Sequence, residues 1–121
     1  MKLLFPALAL GLMLPALSAL AAEPATVKNG MMVDAKGMTL YTYDKDSGGK
    51  SACAGQCAEN WPPLSAGADA KAMGDWTVIK RDDGTHQWAY KGKPLYTFVK
   101  DMAAGDMSGE GKMGAWHMAK P

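Results

Sequence analysis

Shifting the chain by 55 positions lays one half of it on the other. Lys36-Gly37-Met38-Thr39-Leu40-Tyr41-Thr42-Tyr43 falls on Lys91-Gly92-Lys93-Pro94-Leu95-Tyr96-Thr97-Phe98. The register continues without a gap, so that Lys45 meets Lys100, Asp46 meets Asp101 and Trp61 meets Trp116. Recurrence of Tyr, Asp and Trp at one spacing marks a duplicated supersecondary unit, with copies over about 28–66 and 83–121. Two copies are too few for a solenoid. They are expected to pair about a pseudo-twofold axis into one domain, 23–121, with 67–82 as the connector and first strand of the second half.

Strand signals are clear in the second copy. Trp76–Lys80 is β-rich, Asp82-Asp83-Gly84 turns, His86–Tyr90 alternates, Lys91-Gly92-Lys93 turns again, and Leu95–Val99 alternates. The pattern predicts a three-stranded antiparallel meander. A weaker version runs through the first copy as Met31–Ala35, a turn at Lys36-Gly37, and Thr39–Tyr43. The fold class is therefore mostly β, a small antiparallel β domain built from two pseudo-symmetric repeats. Leu40 and Thr42 face away from Tyr41 and Tyr43, as Leu95 and Thr97 face away from Tyr96 and Phe98. Both faces are partly apolar, so alternation alone leaves the inward face open. Ser51–Trp61 reads as a short helical or irregular Cys-x3-Cys segment stopped by Pro62-Pro63, and Gly105–Gly114 as an irregular loop.

Residues 1–22 read as a secretory signal peptide. Lys2 supplies the positive start, the apolar run to Leu17 is broken by Pro6 and Pro15, and Ala19-Leu20-Ala21 suits cleavage after Ala21 or Ala22. That run falls short of the about 20 residues a spanning helix needs, so no stable membrane anchor is expected after cleavage. The expected location is periplasmic or secreted. Thirteen Lys or Arg, among them one arginine, Arg81, balance twelve Asp or Glu. Such a balance excludes a phosphate-neutralising patch, and with it a nucleic-acid partner. Four Trp and four Tyr argue against intrinsic disorder.

The pattern Gly-x-x-Leu-Tyr-x-aromatic-x-x-Asp occurs twice. Between the copies lies Ala52-Cys53-x-Gly55-x-Cys57-Ala58-x-x-Trp61-Pro62-Pro63-Leu64, and Trp116-His117 stands near the end. Together these motifs resemble the secreted repeat family of bacterial exported proteins and lipoproteins, whose function is unknown. The resemblance covers nearly all of 23–121 and implies a paired repeat motif, Tyr41, Asp46 and Trp61 matching Tyr96, Asp101 and Trp116. It implies no activity, ligand or catalytic residue. Many members look like lipoproteins, whereas the two cysteines here, Cys53 and Cys57, lie far from the cleavage site, so lipid attachment is not expected.

An oxidising compartment favours a disulfide between Cys53 and Cys57, and one helical turn places their Cα atoms about 6 Å apart, within bridging range. The rival for this pair is a copper or redox site. Absence of Cys-x-x-Cys-His excludes covalent haem. Eight methionines lie outside the leader, and Met102, Met107, Met113 and Met118 flank or occupy the glycine-rich loop and the last strand. With His117 they form the candidate Cu(I) ligands, because thioethers are soft donors. Their plainer use is gap filling.

Asp46 and Asp101 are expected to cap turns by accepting backbone N–H bonds. With only His86 and His117, no Gly-x-Ser-x-Gly and no His-Glu-x-x-His, no enzyme is expected. The residues point to an exported non-enzymatic domain with a binding or structural role at the cell envelope, its partner a protein or small ligand not identified by the residues. The alternative is a periplasmic Cu(I)-binding or copper-handling protein using Met, His and Cys ligands; no other cofactor is expected.

Overall fold

Glycine and proline recur so often between the apolar runs that no strand among the described residues exceeds five residues. The computed structural model describes residues 23–121; the signal-peptide reading of 1–22 lies outside them. In chain order the elements are β1 (Thr26–Lys28), β2 (Met31–Val33), β3 (Tyr41–Tyr43), α1 (Gln56–Asn60), β4 (Ser65–Ala66), β5 (Trp76–Lys80), β6 (His86–Tyr90), β7 (Lys93–Pro94), a 3-10 turn (Lys112–Gly114) and β8 (Trp116–Met118).

β1 and β2 form a hairpin through Asn29-Gly30, both at positive φ (54° and 80°), the primed turn that an Asn-Gly pair favours. In the second half β6 pairs antiparallel with β5 along one edge. Its other edge takes β4 at one end and β7 at the other.

The meanders expected in each copy stop short. Leu95–Val99 follows β6 only through Leu95, whose N–H donates to Trp88 O at 3.1 Å; from Tyr96 onward it departs, and Tyr96 bridges Tyr41 instead. In the first copy Thr39 still bridges Val33, but Tyr41–Tyr43 leaves β2 and pairs with β8. The cause is visible at the centre. Tyr41 N donates to Tyr96 O at 2.8 Å and Tyr96 N donates to Tyr41 O at 3.0 Å, so the two equivalent tyrosines satisfy each other's backbone groups across the pseudo-twofold axis.

Other backbone bonds repeat about that axis. Ala119 N donates to Leu40 O as Leu64 N donates to Leu95 O, both at 2.8 Å, and Asp44 N bonds Ala115 O as Val99 N bonds Asn60 O. These bonds show that each copy's tail leaves its own copy. The segment after Trp61 pairs with the second copy, where Leu64 O also accepts from Trp88 N at 2.9 Å. The segment after Trp116 pairs with the first, where Ala119 O accepts from Met32 N at 3.0 Å. The repeats are intertwined, and neither closes its own sheet.

The exchange answers which face is inward: both are. Leu40 and Leu95 enter one core with Met32, Trp76 and Ala119, while Tyr41 and Tyr96 enter a second with Trp61, Phe98, Trp116 and Cys53. In that second core Phe98, Trp61, Trp116 and Tyr43 form a continuous stack, with successive ring centroids 4.1, 3.8 and 4.2 Å apart. Since Phe98 and Tyr43 occupy equivalent positions, the stack is itself palindromic.

Candidate functional site

The repeated Tyr and Asp pair across the axis. Tyr41 donates its hydroxyl proton to Asp101 at 2.6 Å, and Tyr96 donates to Asp46 at 2.7 Å, so each copy's tyrosine holds the other copy's carboxylate. Both aspartates also cap loops, as expected: Asp46 accepts from Ala52 N at 2.6 Å and Asp101 from Ser108 N at 2.9 Å. Ser108 Oγ makes a further short contact to Asp101. Burial and the attached carboxylate push both tyrosine hydroxyls well above their ordinary range, because ionisation would set two anions side by side. Burial likewise raises the Asp46 carboxyl, against the Ala52 N–H, the Tyr96 hydroxyl and the Arg81 charge.

The two ends differ in what stands behind the tyrosine. Gly109 N donates to the Tyr41 hydroxyl at 3.1 Å. Behind Tyr96 stands Ser51, 2.6 Å away, which accepts a 2.9 Å bond from Arg81 Nη1. Arg81 is 8% exposed and also donates to Gln87 Oε1 at 2.7 Å and Cys53 O at 2.5 Å. Gln87 in turn donates to Leu95 O at 2.8 Å. These contacts order the Cys53 loop against the second copy. The disulfide is formed, Cys53 to Cys57 with Cα atoms 5.2 Å apart, and Cys53 is buried. Arg81, Ser51, Gln87 and Gly109 were missed by sequence reasoning; the one signal for the first was that it is the sole arginine.

His117 lies on the exposed side of β8. Its Nε2 is 2.9 Å from Asp44 Oδ2 and its Nδ1 is 3.5 Å from Glu110 Oε2, and the bonded Asp44 carboxylate holds the imidazole above its ordinary value. His117 and Met118 line a cleft of about 450 Å³ between the β3–β8 ladder and the β6–β7 turn. Tyr90, Met118 and Pro121 contribute its accessible apolar lining, and Lys91, Lys93 and Lys120 its charge. Asp44 is the one acidic side chain among the lining residues.

The other methionine candidates are not in that lining. Met107 lines a different cavity with Met31 and Val33, whereas Met102 and Met113 project into solvent at 83% and 82% exposure. Among the described residues no group of three His, Cys, Asp or Glu side chains is placed to hold a metal. No helix among them is long and apolar enough to cross a membrane.

The sequence pattern of a family described as a secreted repeat of unknown function matches residues 24–65 and 77–120, one match on each copy. No curated protein and no solved structure matches the chain. With both copies matched and most of the chain covered, this protein belongs to that family of secreted repeats.

Proposed function

We propose that this is a periplasmic or secreted, non-enzymatic binding domain whose cleft takes a small amphiphile with an apolar body and an anionic head. The observation that carries the reading is the placement of Lys91, Lys93 and Lys120 around Tyr90, Met118 and Pro121. Its volume of about 450 Å³ falls within the range of ordinary ligand pockets. Removal from the cytoplasm is supported by the leader-like sequence of 1–22, by the disulfide and by the secreted description of the family. A non-enzymatic role is supported by the commitment of both cysteines to the disulfide and of both buried tyrosine hydroxyls to carboxylates.

Anilinonaphthalene sulfonate, an aromatic anion, is a suitable probe. Saturable one-to-one binding that weakens with added salt is expected, since the lysines are exposed and screened. Replacing Lys91, Lys93 and Lys120 together by Gln should abolish it without unfolding the protein. Binding that ignores both salt and the substitutions would remove the reading.

Copper handling is the second reading, favoured by His117 and Met118 sharing that cleft. It predicts Cu(I) binding by the metal-free protein, tested below.

A further inference from the structure

The loop from Asp101 to Gly114 presents a contrast in how the chain uses methionine. Met32 is packed in the first core at 3% exposure, as a hydrophobic residue should be. Met102, Met107 and Met113 are 83%, 48% and 82% exposed, all within twelve residues, and so forgo most of the burial that would justify an apolar side chain. Met113 adds a second anomaly. Its backbone is left-handed, φ 53°, a region that glycine or asparagine occupies with less strain, and its neighbours Gly111 and Gly114 are also at positive φ. A side chain kept where neither packing nor backbone preference favours it points to the chemistry of its sulfur.

The same loop lies on the aromatic core. Gly109 is buried against the Trp61 and Tyr41 rings, so closely that a Cβ there would fall 2.8 Å from the Trp61 ring and 2.9 Å from the Tyr41 ring. Beneath it lie the Trp61–Trp116 stack and the Tyr41–Asp101 pair. Among the described residues no free thiol competes for an oxidant.

We infer that Met102, Met107 and Met113 form a sacrificial oxidation surface, consuming hypohalous acid before it reaches the indole and phenol rings below. The chemistry balances with one oxidant per sulfur. A sulfur lone pair attacks the chlorine of hypochlorous acid and the O–Cl bond breaks, releasing hydroxide; water then adds at sulfur as chloride departs, and of the two protons it loses one neutralises the hydroxide, so that the net change converts thioether and hypochlorous acid into sulfoxide, chloride and a proton. Sulfur loses two electrons and chlorine gains two. Susceptibility follows exposure of the sulfur, so the loop residues react ahead of Met32.

The test treats the folded protein, with a chelator present to exclude metal, with rising hypochlorite. Intact mass should climb in steps of about 16 Da per added oxygen. Peptide mapping should place the first oxygens on Met102 and Met113, then Met107, while indole fluorescence stays unchanged. The Met102→Leu, Met107→Leu, Met113→Leu protein should lose that fluorescence at a dose lower by about three equivalents per chain, the number of sulfurs removed. Early oxidation of Met32 or of tryptophan in the wild type overturns the inference, as does an unchanged dose in a variant that melts with the wild type. Because the mapping uses the wild-type chain, the inference stays decidable even if the variant folds poorly.

Discussion

Trp61 and Trp116, the same position in the two repeats, lie face to face with ring centroids 3.8 Å apart and planes within 3°. Just beyond each of them the chain crosses to the other copy. Their near-parallel stacking sets two large apolar faces against each other within the second core. Phe98 and Tyr43 extend the stack outward, and Gly109 seals it from the Tyr41 side.

Gly109 is the residue least able to grow. Its φ is not in the left-handed region, so Gly109→Ala introduces no backbone strain, and reduced unfolded-chain entropy would favour it by about 0.4–1 kcal/mol. The clash with the two fixed rings outweighs that gain, since overpacking a core costs about 1–3 kcal/mol. Urea unfolding should show a net loss, with Trp fluorescence shifted even in the folded state.

Crossed Tyr–Asp pairing predicts a coupling that sequence neighbours lack. Tyr41→Phe should destabilise by about 1–3 kcal/mol, because the Asp101 carboxylate loses a partner in the interior. A double-mutant cycle of Tyr41→Phe with Asp101→Asn should return a coupling of about 0.5–3 kcal/mol. The cycle of Tyr41→Phe with Asp46→Asn should be close to additive. Larger coupling within a copy than between copies would contradict the crossed arrangement.

Alkali and neutral pH probe different groups. Tyr41 and Tyr96 have folded-state pKa values raised above the unfolded value of about 10, so their contribution is complete below that pH and is lost as pH rises through the folded values. Part of the tyrosinate absorbance should therefore appear only together with unfolding, and should diminish in Tyr41→Phe. His117 is also raised, so its ion pairs stabilise fully below about pH 6.5 and fade as pH climbs through the folded value. The melting temperature of His117→Gln should fall below that of wild type at pH 5 and approach it at pH 9.

Removing the disulfide should weaken the fold without abolishing it. Its loop is short, so the chain-entropy model assigns it about 2 kcal/mol. Cys53→Ala with Cys57→Ala should unfold at lower urea yet keep the Arg81 contact to the residue 53 carbonyl, which uses backbone only. A hydrogen-exchange measurement at the Cys53 segment checks this.

Copper is decided by stability. If His117 and Met118, the two candidates that share the cleft, supply a Cu(I) site, anaerobic Cu(I) at about 100 times Kd should raise stability by roughly 2.7 kcal/mol. Met118→Leu should erase the shift and change metal-free stability by less than about 1.5 kcal/mol. An unmoved melting curve removes the copper reading and leaves the oxidation surface, which needs no metal, intact.

Local pattern, with the exported compartment it implied, pointed to the duplication, the β class, a short helical or irregular Cys-x3-Cys segment, a Cys53–Cys57 disulfide and the aspartates as turn caps. Each depends on residues close in sequence, or on one offset repeated along it. Only the tertiary structure decided which copy each tail joins. Because the repeats are equivalent, a tail presents nearly the same backbone donors, alternation and aromatic partners to its own copy as to the other, so no local pattern distinguishes closed from exchanged pairing. The same exchange buried both faces around Tyr41 and Tyr96, internalised Arg81, and opened the lysine-lined cleft where β3, β7 and β8 come together.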